Sequence, residues 1–373
     1  MNVEAITLRE LHMPLVQFFE TSFGRIDTRR VLLVTIHCEG INGWGECVSD
    51  VGPFYSEEFS DSAWLVIKQF LAPSILGNSY RGGRDCVHDM ARVRGHRMAK
   101  AAIENALWDA EAQEKQLPLW KLLGGTRKEI ACGVSIGIQD SVGQLEEKIG
   151  VALAAGYQRI KVKVKPGWDL HILERLRARW PDILLSCDAN SAYTLDEFEH
   201  LRKFDQFHLL MIEQPLWQDD IYYHSRLQKE LRTAICLDES IRNARDAAQA
   251  LEMGACRIVN IKVGRVGGFS EALRIHDVCR QFKIPVWCGG MLESGVGRSH
   301  NIALSTLEGF SLPGDVSASR RYWKEDIIAP EVDVSPRGTI LIQDVPGRGY
   351  EINEDLVERY TVRKETLRAA HRN

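Results

Sequence analysis

Five short apolar runs recur between residues 159 and 268, and each closes on a polar residue: 160–163, 184–188, 209–213, 234–238 and 258–262. The closing residues are Lys163, Asp188, Glu213, Asp238 and Lys262, at intervals of 25, 25, 25 and 24. Such an interval holds one strand, one loop, one helix and a return loop. Continuous apolar runs suit parallel strands covered by helices. Even repetition of that unit predicts a (β/α) barrel, whose site lies where the strands end at the C-terminal mouth. The five polar residues would then converge on one cavity.

A chain of 373 residues exceeds the roughly 250 of a plain barrel, so one barrel with a smaller domain is expected. The net charge of −4 argues against nucleic-acid or anionic-membrane partners, which need a basic excess. Nine cysteines without a Cys-x-x-Cys pair fit reduced thiols, with Cys187, Cys236 and Cys288 as buried apolar groups. The start Met1-Asn2-Val3-Glu4-Ala5 has no basic region before an apolar core, and no apolar run approaches the ~18 residues of a span. A cytoplasmic protein acting on a small molecule is expected.

The first segment lacks the β/α rhythm. Residues 2–10 and 30–48 read as strands, the second broken by a turn over 39–43, which predicts an antiparallel meander. The aromatic stretch 17–24 and residues 51–55 read either as packed loops or as a lid over a pocket. A helix is expected over 60–71, stopped by Pro73, and a stronger one over 97–116, whose Ala-rich face implies tight packing. A short turn follows over 119–123.

The first barrel strand is placed at 131–136, with Ser135 facing the mouth. Helices are expected over 141–155, 169–180, 195–204, 221–231, 244–253 and 268–282, and the seventh strand over 284–288. In Cys288-Gly289-Gly290-Met291 the glycines leave backbone open to a ligand, so Gly290 and Met291 join the candidate site. Gly295, Gly297 and Ser299 are expected to precede a helix at 301–307, with an eighth strand near 310–312. A strand at 339–343 is expected to complete the N-terminal domain, and 363–373 to form a solvated helix or tail.

Asp188, Glu213 and Asp238 at successive strand mouths would repel one another strongly without a counter-ion. Hard oxygen donors on rigid strands suit Mg²⁺, although a single such acid more often caps a helix or pairs with a base. Lys161 and Lys163 stand two apart on one strand and so share a face toward the mouth, and Lys262 lies across the barrel. A lysine beside a metal and a second lysine should have its pKa lowered toward neutrality and serve as a general base. Schiff-base chemistry is the competing reading, against which the three acids argue. Together these groups predict removal of the proton α to a substrate carboxylate and stabilisation of the enediolate that results.

Lys161-Val162-Lys163, Asp188-Ala189-Asn190, Glu213-Gln214-Pro215, Asp238-Glu239-Ser240 and Asn260-Ile261-Lys262, with residues 101–109, 118–120 and 122–125, resemble the enolase superfamily. The similarity is to its muconate-lactonizing-enzyme subgroup and runs along the whole chain. The resemblance implies a modified TIM (β/α) barrel at 127–320 and an α+β capping domain built from residues 1–126 and 321–373. It implies Mg²⁺, replaceable by Mn²⁺, on Asp188, Glu213 and Asp238, and catalysis by Lys163 and Lys262. Lys161, Asn190 and Glu239 would stand around them, and Phe19, Phe23, Phe54 and Tyr55 would lie on specificity loops.

Lys262, rather than a His/Asp pair, separates the chain from mandelate-racemase-like members, and His300 is taken as structural. Dipeptide epimerases carry an Asp-x-Asp pair after strand eight, whereas residues 313–319 offer only Asp315, followed by Ser317. That segment and 160–169 resemble o-succinylbenzoate synthases that include N-acylamino acid racemases. Arg265, three after Lys262, resembles the branch in which synthase and N-succinylamino acid racemase activities coexist, with Val263 departing from its usual proline. Both reactions need the same enediolate, so dehydration and racemisation stay open. A catalytically inert binding barrel would have lost one of these groups. A homo-oligomer is expected.

Overall fold

The structure, a computed structural model, describes residues 1–22 and 24–369. The chain begins with a long antiparallel hairpin, β1 (Ala5–Thr21) on β2 (Gly24–Cys38), and β2 continues to β3 (Ile41–Cys47) through a turn at Glu39 and Gly40. The stretch expected as loop or lid over 17–24 is therefore mostly strand. Its strand character was hidden because the burial alternation fades past Pro14, where the hairpin leaves the cap's core. Phe23 lies outside the described residues.

Helix α1 (Ser60–Val66) runs through one π turn over 67–71 into α2 (Ala72–Ile75). Pro73 does not stop the helix. It follows just after the π turn, where the i→i−4 ladder is already interrupted. The Ala-rich α3 (Arg97–Glu114) packs on β3 and is followed by α4 (Leu119–Leu122). A β-carbon at Gly45 would lie 1.9 Å from the Ala102 carbonyl oxygen, so glycine is needed for that approach.

After β4 (Glu129–Ala131) the parallel sheet runs in chain order: β5 (Gly133–Ile136), β6 (Arg159–Lys163), β7 (Leu184–Asp188), β8 (Ile212–Glu213), β9 (Ile235–Leu237), β10 (Ile258–Ile261) and β11 (Val286–Cys288). Between and after them come α5 (Val142–Ala154), α6 (Leu170–Arg179), α7 (Phe198–Arg202), α8 (Ile221–Glu230), α9 (Ala244–Glu252), α10 (Val263–Val266), α11 (Phe269–Gln281) and α12 (Gly295–Ser305). The helix expected over 195–204 is broken into α7 between two 3₁₀ turns. No strand forms at 310–312. Single parallel bridges from Phe310 to Val286 and from Gly314 to Cys132 put that stretch in the eighth place of the curled sheet. The TIM-like α/β architecture with an antiparallel capping sheet is thus as expected.

The C-terminal segment departs further from expectation. Of the short strands β12 (Ile328–Ala329), β13 (Thr339–Leu341) and β14 (Glu351–Ile352), the first and last pair together, and β13 pairs with β4 instead of joining the capping sheet. After α13 (Glu354–Tyr360), it is β15 (Thr361–Arg368) that pairs with β1 and completes the four-stranded cap. Its run Arg363-Lys364-Glu365 looks like a solvated tail in sequence because edge strands carry charge that blocks further pairing. Residues 370–373 lie outside the described residues.

Two buried glutamates tie cap to barrel. Glu46 of β3 accepts from the backbone N–H groups of Ser294 (3.1 Å) and Gly297 (2.9 Å) and from Ser294 Oγ (2.6 Å), at the start of α12. Glu104 of α3 accepts from Ser270 N (2.9 Å) in the first turn of α11 and from Trp108 Nε1 (3.0 Å). Both satisfy N–H groups that a helix leaves unpaired. Burial pushes both carboxyls up to about 7.

Candidate active site

Pairing of β6 with β7 and of β7 with β8 places Lys163 beside Asp188 and Asp188 beside Glu213. Asp238 follows β9 directly and Lys262 follows β10. The outward-facing Ile160, Val162 and Val164 are fully buried under the helices, so Lys161 and Lys163 point inward together. Lys163 Nζ lies 2.6 Å from Asp188 Oδ2 and 2.6 Å from Asn190 Oδ1. Lys161 Nζ reaches Glu213 Oε2 (2.6 Å), Asp315 Oδ2 (2.9 Å) and Asp188 Oδ2 (3.2 Å). Lys262 Nζ stands 2.7 Å from Asp238 Oδ2 and donates to the Tyr55 hydroxyl, which itself donates to Asp238 Oδ1 at 3.1 Å.

A further layer orients these groups. Asn260 Nδ2 donates to Glu213 Oε1 (2.7 Å), Asn190 Nδ2 donates to Glu239 Oε1 (2.9 Å), and Gln214 Oε1 accepts from Asp238 N (3.1 Å). Arg265 is buried, donating to the Asn260 carbonyl (2.7 Å), the Ile241 carbonyl (3.1 Å) and Asp238 Oδ1. Asp315 is gripped by Arg159 as well as Lys161, and the Arg159 guanidinium and the Lys161 ammonium lie over the Trp287 ring at 4.6 and 4.7 Å.

The expected fall in lysine pKa is for an amine beside a bound metal; with the acids folded onto the amines instead, Lys161 and Lys262 are shifted the other way. Burial pulls Lys262 down, but Tyr55, Glu239, Glu213 and Asp188 raise it overall, and Asp315, Glu213 and Asp188 do the same for Lys161. Burial alone would raise Asp188, yet Lys163 and Lys161 hold it well below the usual carboxylate range, while burial and Asp188 push Glu213 up.

Of the candidate residues, Phe19, Tyr55, Ser135, Lys161, Lys163, Asn190, Lys262, Gly290, Met291 and Asp315 line one cavity of about 190 Å³. Asp188, Glu213, Asp238 and Glu239 lie outside that lining, buried and bonded to it through the lysines, Asn190 and Tyr55, and Arg265 lies one step further back, on Asp238. Ser317 is not on the cavity. Its carbonyl accepts from Arg298 Nη1 at 3.1 Å. Phe54 lines the cavity, whereas His300 is packed inside α12 against Phe269, burial pushing it down to about 4.

Arg29 and Arg298, both almost wholly buried, also line the cavity. Arg29 donates to Asp50 Oδ1 (3.0 Å) and the Val48 carbonyl (2.7 Å), and Arg298 donates to the Glu293 carbonyl (2.8 Å). No motif marks them in sequence, because an arginine on a strand or helix usually points to solvent.

Among the described residues, no three acidic, histidine or cysteine side chains already surround a common metal position. The acids are instead folded onto the lysines. Their chemistry nonetheless fits a hard divalent cation: three oxygen donors end neighbouring strands, and buried Asp238 Oδ2 and Glu239 Oε2 have no hydrogen bond. For Asp238 Oδ2 the nearby Lys262 ammonium makes an ion pair of poor hydrogen-bond geometry.

Residues 3–124 match the family profile of the mandelate racemase / muconate lactonizing enzyme N-terminal domain, and residues 144–356 match that of the enolase C-terminal domain-like family. The chain belongs to the enolase superfamily. Within the superfamily it is 51% identical to an o-succinylbenzoate synthase of Geobacillus kaustophilus, over 96% of each chain. It is 45% identical to an N-succinylamino acid racemase of Amycolatopsis sp, over 98% of this chain and 99% of that one. A crystal structure of an enolase-superfamily member from Listeria innocua superposes with a TM-score of 0.95 at 39% identity, covering 99% of this chain and 100% of that one. Among the described residues no helix is long and apolar enough to cross a membrane, and all nine cysteines are buried and free.

Proposed function

We propose that the chain is an o-succinylbenzoate synthase, a hydro-lyase of menaquinone biosynthesis, that also racemises N-succinylamino acids. The observation that carries this reading is the pair Lys163 and Lys262, set on the second and sixth barrel strands and lining the same cavity above three buried acids. Asp188, Glu213 and Asp238 would hold Mg²⁺, or Mn²⁺ in its place, which when bound supplies positive charge toward the substrate carboxylate and makes its α-proton more acidic. One lysine removes that proton, leaving an enediolate whose added charge the opposite ammonium stabilises. In dehydration the C–O bond at the adjacent carbon then breaks, and the leaving hydroxyl takes the proton that the lysine has just removed and departs as water. In racemisation the opposite ammonium returns a proton to the other face. The relatives named as racemases and the two-sided placement of the lysines both favour the second activity. Phe19, Tyr55, Ser135, Gly290 and Met291 would shape the substrate's binding space.

The test is direct assay of the purified chain. Dehydration of the cyclohexadiene carboxylate and interconversion of N-succinylamino acid enantiomers should both stop on chelation and return with Mg²⁺ or Mn²⁺. Turnover of neither substrate class would overturn the reading. The same reading places the chain in the cytoplasm as a homo-oligomer, which sedimentation checks.

Arg265 separates the two activities. It shares Asp238 with Lys262, one cation on each side of the carboxylate. With Arg265→Gln the whole charge of Asp238 faces the Lys262 ammonium and holds its proton more firmly. A shift of one pKa unit is worth about tenfold, so racemisation should fall on the order of tenfold more than dehydration. Equal losses in the two assays would mean that Arg265 only supports the fold.

A further inference from the structure

Behind the β1–β2 hairpin, on the side away from the lysines, lies a second cavity of about 710 Å³. Phe19 and Tyr322 line both this cavity and the active-site cavity, so they form the wall between them. Its floor is apolar and buried: Ile136, Ala152, Tyr157 and Val334. Of the three cations that line it, Arg320 is paired with Asp333 at 2.9 Å, which leaves two, Lys148 of α5 and Arg321. Among the described residues neither has a carboxylate at ion-pair distance, because the acids at the rim are engaged elsewhere or too far away. Asp140 is held by Arg25 at 2.6 Å. Lys148 instead places its ammonium 5.2 Å from the Phe18 ring centre, and burial together with Arg321 lowers its affinity for the proton. Arg321 Nη2 donates to the Ser135 carbonyl at 2.6 Å, while its buried Nε has no hydrogen bond.

Two half-exposed cations without an ion-pair partner, beside an apolar floor, suit an anion with an apolar body. The volume is in the range of small-molecule sites. Asp140 and Glu147 on the rim disfavour a dianion such as a phosphate monoester. We propose that this rear cavity is a second binding site, for a small monocarboxylate bearing an aromatic or branched apolar group. Its occupancy is coupled to the active site through Phe19, Tyr322 and the Arg321–Ser135 hydrogen bond. An occupant that presses on Phe19 moves the same ring that bounds the substrate. One that takes up Arg321 competes with the bond that fixes the Ser135 backbone. The proposal does not depend on which reaction the lysines catalyse.

The probe is 4-phenylbutanoate, titrated into the full chain by calorimetry in the presence of Mg²⁺. Two sites are expected in the unaltered chain, one in each cavity. Lys148→Gln should weaken one of them on the order of tenfold, the effect of a lost charge-assisted contact, and leave the other unchanged. Val151→Trp, at a residue 66% exposed on α5, should fill the rear cavity without altering charge and remove the same site. Circular dichroism confirms that each variant is folded, and each covers for the other if one is not. In kinetic assays the probe should inhibit with a component that substrate does not relieve, and Val151→Trp should abolish that component alone. A single site in the unaltered chain, or two sites unchanged in both variants, overturns the proposal. Purely competitive inhibition overturns the coupling. A change in sedimentation of the variants without any change in probe binding also overturns it, since the cavity would then be covered by a second copy. Because calorimetry needs no turnover, failure here is distinguishable from failure of the proposed enzyme activity.

Discussion

Lys163→Ala and Lys262→Ala are both expected to abolish racemisation of N-succinylamino acids, yet in D₂O each should still wash deuterium into one enantiomer, and the two variants into opposite ones. The reason is geometric. β6 and β10 are separated by three strands of the curled sheet, so the two amines reach the cavity from opposing sides. Racemisation needs a base on each face of the α-carbon, whereas exchange needs only one that removes and returns the same proton. Loss of a general acid or base typically removes 10²–10⁴ of the rate, so racemisation should drop by about 10³ or more. Residual exchange should be slowed too, because the groups titrate together. Without Lys163, Asp188 keeps one ammonium partner, Lys161 at 3.2 Å, beside the Asn190 N–H at 3.0 Å. Proton NMR of each pure enantiomer in D₂O reads the result. Exchange of the same enantiomer by both variants would defeat the opposed-face geometry and the assignment of both lysines as bases.

Glu213→Gln should lose most of the Mg²⁺ affinity and nearly all activity while the chain stays folded. Glu213 is the middle of the three acids, fully buried between Lys161 on one oxygen and Asn260 on the other. Glutamine has the same shape and leaves the strand packing intact, but its amide N–H groups face a donor, Lys161 or Asn260, so the melting temperature should fall while the chain stays folded. What it removes is an anionic oxygen donor, and Mg²⁺ depends on such donors to offset its reluctant dehydration. Changing partners one layer out commonly costs 10–100-fold in metal affinity, so loss of a direct ligand should cost at least about 100-fold. Calorimetric titration with Mg²⁺ measures this without substrate. An unchanged titration curve would sink the assignment of Glu213 as a ligand.

Much of this site was legible because parallel strands put their chemistry at one end. A strand covered by helices can carry polar residues only where it opens, so Lys163, Asp188, Glu213, Asp238 and Lys262 announce themselves by period. What failed to read did so for equally physical reasons. Phe18 and Phe19 lose the two-residue alternation because their hairpin runs from the cap across to the barrel mouth, changing neighbours on both faces. Gly295 and Gly297 look like a loop before a helix, yet they lie inside α12, where a β-carbon would meet Ile328 at 2.2 Å and Glu293 at 2.8 Å. They are there for close approach and not for a turn. The stretch expected as the eighth strand, 310–312, does stand in the eighth place, but only isolated bridges at Phe310 and Gly314 hold it there and no ladder forms. Sequence shows which charges share a cavity but not which ones touch, as the pairing of Lys161 with Glu213 and Asp315 illustrates.

The glutamates that reach from the cap into the first turns of α11 and α12 carry a consequence for evolution and for engineering. Each half of the molecule completes the other's backbone bonding, so the capping sheet is not an accessory that can be exchanged freely. A chimera joining this barrel to a relative's cap must bring carboxylates to the positions of Glu46 and Glu104. Otherwise the N–H groups of Ser294, Gly297 and Ser270 are stranded in a dry seam. Specificity can therefore drift along the hairpin and the loops around Tyr55, while the seam behind them is held to a fixed pattern of two acids facing two helix starts. That division lets one chemistry be offered to many substrates without the two halves coming apart.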